Sequence, residues 1–283
     1  MMIDYFSLQT HIQNPLISLL EYYRESELPT QDELLLQSSG PVTDLAQKSF
    51  LPCLESIRIL FFEPHTNKEK KSISELNGDI NLGFNESLII LIQEYKESRW
   101  HTIEEIKSSS LEDAINLTKK WEIQLVIDSE LAIVPGGFTG LLGYDLNRWS
   151  VDIKLENIPF PGTLLGVLWR ADAWWVHDRA LQKLELISIP NHHWIKGARA
   201  NKINLKSPTD SSKLEFCEVP ESESDASHAN KVDRIKNSIR QGHIYQLNYG
   251  RKWEGEMPDH PWYAFQRILE TNPSPFSSWL HVH

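Results

Sequence analysis

Gly136-Gly137-Phe138-Thr139-Gly140-Leu141-Leu142-Gly143-Tyr144-Asp145-Leu146-Asn147-Arg148 is the stretch on which the fold reading turns. Four glycines here punctuate an otherwise apolar strand pattern. Glycine lets a strand bend sharply or pass close to other backbone. Tyr144, Asp145 and Arg148 then give that strand a polar, chargeable exit. Read alone, the residues suit a glycine-rich core strand beside a surface ion pair as well as they suit a functional motif.

Outward from this stretch, the chain alternates apolar strand runs with a few helical ones. Ile57–Phe62 (IRILFF) and Ser87–Gln93 (SLIILIQ) are strand candidates, and the second is too short to span a bilayer. Leu164–Val176 and Leu184–Ile189 are two further apolar runs, joined through the polar His177–Lys183 as a hairpin. Asn14-Pro15, followed by Leu16, Leu19, Leu20 and Tyr23, predicts a helix with one apolar face. Ser110 with Asp113 three residues on predicts a capped helix running to about Trp121. Leu34–Leu36 leads through Gln37 into the turn residues Ser38-Ser39-Gly40. The polar stretch His65–Gly83 is expected at the surface.

Composition narrows the class. The chain has 283 residues, 40% hydrophobic and 24% charged, with ten Trp to fill a packed interior. A net charge of −11 argues against nucleic acid or a membrane surface as the main partner. The two cysteines, Cys53 and Cys217, lie far apart without metal-ligand spacing, which points to a reduced, cytoplasmic protein. The first ten residues lack the basic region of a signal peptide. The eleven histidines form no H-E-x-x-H pattern, and His192-His193 is expected in a surface loop.

Lys206–Ser227 is rich in Ser, Pro, Asp and Glu and is read as a linker. It divides the chain into residues 1–205, the linker 206–227, and 228–283. Beyond it, Val232, Ile235 and Ile239 recur at helical spacing, and Gly242 stands where a left-handed cap is needed. Ile244–Trp253 is predicted as a strand. Pro261 opens a helix with Trp262, Phe265, Ile268 and Leu269 on its buried side. Asn272-Pro273-Ser274-Pro275 ends that helix, and a last strand starts at Phe276. Roughly 50 residues after the linker are near the lower limit for a stable core, so this second unit is expected to be incomplete.

Two stretches carry a family resemblance. Gly136, Gly137, Gly140, Gly143, Tyr144, Asp145 and Arg148 resemble the GGxxGxxGYDxxR signature of the amino-terminal domain of anthranilate synthase and aminodeoxychorismate synthase component I. Gly242, Gln246, Asn248, Asn272, Pro273, Pro275 and Phe276 resemble the helix, G-D-x-x-Q-x-N, helix, N-P-[SA]-P-[YF] order that opens the chorismate-binding domain; His243 replaces the usual Asp. Leu35-Leu36-Gln37-Ser38 and Lys48-Ser49-Phe50-Leu51 resemble the family's L-L-[DE]-S and R-Y-S-x-L segments, with Gln37 in place of the acid. The resemblance implies an α+β fold: β-sheets packed as a sandwich, with helices outside. It also implies a tryptophan pocket formed by Ser38, Lys48, Ser49, Pro275, Phe276 and Ser277.

The resemblance further implies chorismate as substrate, a magnesium ion in the complete enzyme, and a glutamine amidotransferase that supplies ammonia. The family's P-I-[AK]-G-T and E-H-x-M motifs, which carry metal and general-acid chemistry, have no counterpart here. Pro159-Phe160-Pro161-Gly162-Thr163 echoes the first but reads as a proline-glycine turn. No catalytic residue and no metal ligand is therefore expected in this chain, and a carboxy-terminal chorismate-domain fragment would have to supply them. Four readings stay open: the front part of an aminodeoxychorismate synthase, the same part of an anthranilate synthase, a non-catalytic module binding tryptophan or a partner, or an unstable product of an interrupted gene. The Pro-Phe-Ser-Ser-Trp sequence after Ser274 favours the first.

Overall fold

The computed structural model describes residues 3–25, 32–64, 87–125, 131, 133–151, 157–200, 205, 223–254 and 260–283. His65–Gly83 lies outside them, as does the linker up to residue 222. The chain divides into two compact units, Met1–Pro208 with Ser274–His283, and Thr209–Pro273.

The first unit is built on two antiparallel sheets. Its strands are β1 (Asp4–Gln9), β2 (Glu33–Gln37), β3 (Lys48–Pro52), β4 (Ile57–Phe62), β5 (Leu88–Lys96), β6 (Arg99–Ser108), β7 (Gly137–Leu142), β8 (Leu164–Ala171), β9 (Ala173–Asp178), β10 (Lys183–Ser188) and β11 (Ser277–His281). One sheet runs β1-β10-β9-β3-β2-β11 and the other β6-β5-β4-β8-β7. The period-two pattern of β4 explains how the layers stack. Ile57, Ile59 and Phe61 face one way, into a cluster with Leu88, Ile90, Ile92 and the helix α2 (Leu111–Asn116). Leu60 and Phe62 face the other way, into a cluster with Leu34, Leu36, Val167, Trp169 and Leu280 that joins the two sheets. The architecture is thus α+β, a sandwich of sheets with helices outside.

The helices follow their sequence signals. Pro15 opens α1 (Pro15–Glu25), whose Leu16, Ile17, Leu19 and Leu20 are buried. Ser110 caps α2, its Oγ accepting from the Asp113 N–H at 3.3 Å, and a 3-10 turn extends the run to Lys120. His192-His193 is not a plain loop: α3 (His193–Ala200) begins there.

Three expectations are corrected. Leu164–Val176 is not one strand. It breaks at Asp172, so β8 belongs to one sheet and β9 to the other. Arg170 grips the Asp172 carboxylate through Nε at 2.8 Å and Nη2 at 3.0 Å, and Ile189 N–H donates to the Asp172 carbonyl at 2.9 Å, which fixes the crossing. Ile244–Trp253 forms no strand. Its residues are tied instead to the start of α4 (Asp225–Arg240): Tyr249 Oη donates to Glu223, just ahead of the helix, at 2.7 Å, and Arg251 pairs with Asp225. In α5 (Pro261–Thr271), Ile268 is exposed, while Gln266 is buried with Trp262 and Leu269.

The division at the end of the chain also differs from 228–283. Segment 274–283 joins the first unit because β11 pairs with β2, from Ser277↔Gln37 to His281↔Glu33. The helix α4 opens at Asp225, inside the stretch read as linker, with Ser224 as its cap. Its far end closes as expected: Gly242, at φ 74°, lets His243 N–H reach the Ser238 carbonyl and Gly242 N–H reach that of Ile239, each at 3.0 Å.

Asp32 ties these parts together. Its carboxylate accepts from Arg58 Nη1 at 2.7 and 3.0 Å, from Trp169 Nε1 at 2.7 Å and from His283 N–H at 2.8 Å. Arg58 also donates to the His283 carbonyl at 3.0 Å and to Gln93 Oε1 at 2.7 Å, and lies 4.4 Å from the centre of the Trp100 ring. Both charges are buried, so removing one strands the other. Asp32→Ala is expected to lose about 3–5 kcal/mol of folding free energy, read by urea denaturation. A loss under about 1 kcal/mol, the scale of an exposed pair, would contradict this role.

Candidate functional site

β2 lies between β3 and β11, and residues of these three strands and of their connections at one end line an open cavity of about 510 Å³. That volume suits a small organic ligand. The connections are held by side chains that satisfy loop backbone. Ser39 N–H donates to the Ser274 carbonyl at 2.9 Å, and Ser274 N–H donates back to Ser39 Oγ at 2.9 Å. This exchange fastens Ser274 to the Ser38-Ser39-Gly40 turn. Ser38 N–H donates to Ser49 Oγ at 3.0 Å, and Ser38 Oγ donates to the Lys48 carbonyl at 2.8 Å. Arg179, just past β9, donates to the carbonyls of Ala46, at 2.6 Å, and of Gly40.

Of the residues expected around a tryptophan pocket, Ser38, Lys48, Pro275, Phe276 and Ser277 line this cavity. Ser49 does not; it is fully buried behind the wall, where it accepts the Ser38 N–H. Sequence reading missed Asp44 and Phe50 as lining residues, and placed Gln37 only as a substituted acid. No local signal marks Asp44, which enters through the loop that Arg179 staples.

The cavity's chemistry is mixed. Leu36, Phe50, Pro275 and Phe276 give it apolar walls. Phe276 is 73% exposed and Leu45 65% exposed, so apolar surface stands open at its rim. Lys48 and Asp44 supply one charge of each sign, and neither forms an ion pair among the described residues. Gln37 is 2% exposed; its Nε2 donates to Asn14 Oδ1 and to the Ser38 carbonyl. Its Oε1 is buried without a hydrogen-bond partner, a costly state that a ligand N–H or O–H would relieve.

The glycine signature has another place. Gly136, Gly137 and Gly140 lie in or beside β7, an edge strand, and Gly143 starts the 3-10 turn Tyr144–Trp149. A Cβ on Gly140 would stand 2.0 Å from the Val167 carbonyl oxygen, so only glycine permits this pairing of β7 with β8. Arg148 is paired with the buried Glu63 and lies against Trp149, its guanidinium carbon 4.0 Å from the ring centre. Asp145 is half-buried and Tyr144 is exposed. The motif therefore secures a sheet edge. In the second unit, Gly242, Gln246 and Asn248 are exposed, and Asn272 caps α5 through its N–H on the Ile268 carbonyl, with Pro273 following.

Magnesium takes oxygen ligands in an octahedral shell. Among the described residues, one group of three metal-capable side chains converges: Cys53, Glu55 and His193. A thiol and an imidazole suit a softer ion, so these residues do not fit magnesium.

With this geometry in view, the class of protein is clear: the chain belongs to the family of chorismate binding enzymes, whose model matches residues 60–283. That match begins in β4 and runs through both units. Over 158 residues the chain is 27% identical to aminodeoxychorismate synthase component 1 of Salmonella typhimurium, covering 52% of this chain and 32% of that protein. The chain thus spans about a third of the length of that relative. No helix among the described residues is long and apolar enough to cross a membrane.

The wall behind Ser49 is sensitive to pH. His177 of β9 pairs across from Ser49 and is 3% exposed, with no hydrogen-bond partner for Nδ1. Burial first, and then the Arg179 charge, push its pKa down to about 4. The unfolded chain binds this proton near pH 6.5, so the stability due to neutral His177 is complete above that pH. It is lost as pH falls from about 6.5 toward about 4. His177→Gln is expected to flatten the fall in folding free energy between pH 7 and pH 4.5, compared by denaturation of both proteins.

Proposed function

We propose that this chain is the amino-terminal portion of an aminodeoxychorismate synthase component I, which replaces the ring hydroxyl of chorismate with an amino group. The resemblance to the Salmonella protein supports this choice over an anthranilate synthase. The chain's part is to form the sandwich and the cavity beside β11. The remainder of the chorismate domain holds the magnesium and the reacting atoms, and a glutamine amidotransferase delivers ammonia. The compartment is the cytoplasm. The observation that carries this reading is the match of residues 60–283 to the chorismate binding enzymes, together with the 27% identity over 158 residues to the Salmonella component 1.

The cavity supports a second reading within the first: it binds an aromatic amino acid of the tryptophan type. Lys48 meets the carboxylate, Asp44 and Gln37 Oε1 meet the ammonium, and Phe50, Pro275 and Phe276 receive the ring. The ring would cover the apolar surface that Phe276 leaves open.

Two measurements separate these readings. The purified chain with chorismate, magnesium and ammonia is expected to consume no chorismate, and to support consumption once the complementary fragment is added. Turnover by the chain alone would refute the proposed division. Calorimetric titration is expected to show L-tryptophan binding, weakened about tenfold in Lys48→Met, the loss of roughly 1.4 kcal/mol. Absence of heat with folded protein would remove the amino-acid reading while leaving the first intact.

A further inference from the structure

We propose that Cys53, Glu55 and His193 form a binding site for a divalent cation of the zinc type, separate from the cavity beside β11. Cys53 and Glu55 lie in the connection from β3 to β4, and His193 is the first residue of α3. Their ligand atoms all lie within 4.8 Å of one another, and His193 Nε2 is 3.0 Å from Glu55 Oε2.

Charge and satisfaction point the same way. Glu55 is largely buried, and its Oε1 has no hydrogen-bond partner. A buried carboxylate oxygen left unmatched is costly, and a cation is its natural complement. The donor set of thiol sulfur, imidazole nitrogen and carboxylate oxygen is one that zinc accepts and that calcium and magnesium do not. Three protein ligands leave a fourth tetrahedral position for water, and the His193 side chain, 58% exposed, opens that side to solvent. Zinc–ligand bonds of about 2.0–2.3 Å require the three atoms to close by about an ångström, within the range of side-chain rotation.

The surroundings are firm enough to hold the ligands in place. Cys53 N–H donates to the Ala173 carbonyl at 2.8 Å. Tyr23 of α1 stacks on Trp194, next to His193, with ring centres 4.5 Å apart, and accepts from Trp175 Nε1 at 2.9 Å. The start of α3 is therefore anchored to α1 and β9. On binding, the Cys53 S–H bond is replaced by a sulfur–metal bond and the proton passes to water.

Cobalt(II) is the probe, since a thiolate ligand gives it a near-ultraviolet charge-transfer band. The full chain is expected to bind one cobalt with that band, and zinc to displace it. Cys53→Ser abolishes the band, and Cys217→Ser keeps it. His193→Gln, a change at an exposed side chain, weakens cobalt binding at least tenfold with an unchanged circular dichroism spectrum. A folded wild-type chain that binds cobalt without the band, or not at all, overturns the proposal. So does a band that persists in Cys53→Ser. If Cys53→Ser fails to fold, His193→Gln decides alone, and an unaltered affinity overturns the site.

Discussion

The buried carboxylate of Asp32 holds the first unit together. It stands immediately before β2 and takes hydrogen bonds from β4, from β8 and from the backbone of His283. One anion thus bridges both sheets and the last residue of the chain. Hydrophobic contact between the layers is non-directional and would tolerate sliding. The charge-assisted bonds from Arg58 Nη1 to both carboxylate oxygens and the Trp169 bond are directional, so they set how the sheets register. Arg58 is itself placed by Gln93 and the Trp100 ring, which makes the bridge a network rather than one pair.

The cavity depends on that bridge. β11 is an edge strand only five residues long, and its pairing with β2 brings Pro275, Phe276 and Ser277 beside Gln37, Ser38 and Lys48. The Ser39–Ser274 exchange secures the near end of β11, and the Asp32–His283 contact secures the far end. Glu33 and Trp279 add a third fastening. Burial opposes ionisation of Glu33, but the Arg24 and Trp279 hydrogen bonds outweigh it and hold its carboxyl below the ordinary range. Residues more than two hundred positions apart in sequence thereby share one site.

Much of this was legible in the residues. The β4 run IRILFF matches its strand residue for residue, and Ser110 and Pro15 mark their helices. The break at Asp172 was not legible, because β8 and β9 are both apolar and a change of sheet leaves no mark on hydrophobic periodicity. The strand expected at Ile244–Trp253 failed for a related reason. A strand pattern states which residues could pair, while pairing needs a neighbour, and here the side chains of Tyr249 and Arg251 hold to Glu223 and Asp225 around the start of α4. The cavity was half legible. Ser38, Lys48 and Phe276 came from family motifs, whereas Asp44 entered through a loop with no motif and Ser49 turned inward to serve a backbone N–H. Cys53, Glu55 and His193 carried no spacing signal, since α3 brings the histidine in from far along the chain.

The account stands on segment 274–283 being a strand of the first unit. Native-state hydrogen exchange followed by mass spectrometry reads this directly. Amides of 277–283 are expected to exchange slowly, on the scale of β4, while those of 243–254 exchange fast. Equal, fast exchange in both segments would contradict the account, because β11 would then be unpaired and the cavity would lack one of its walls.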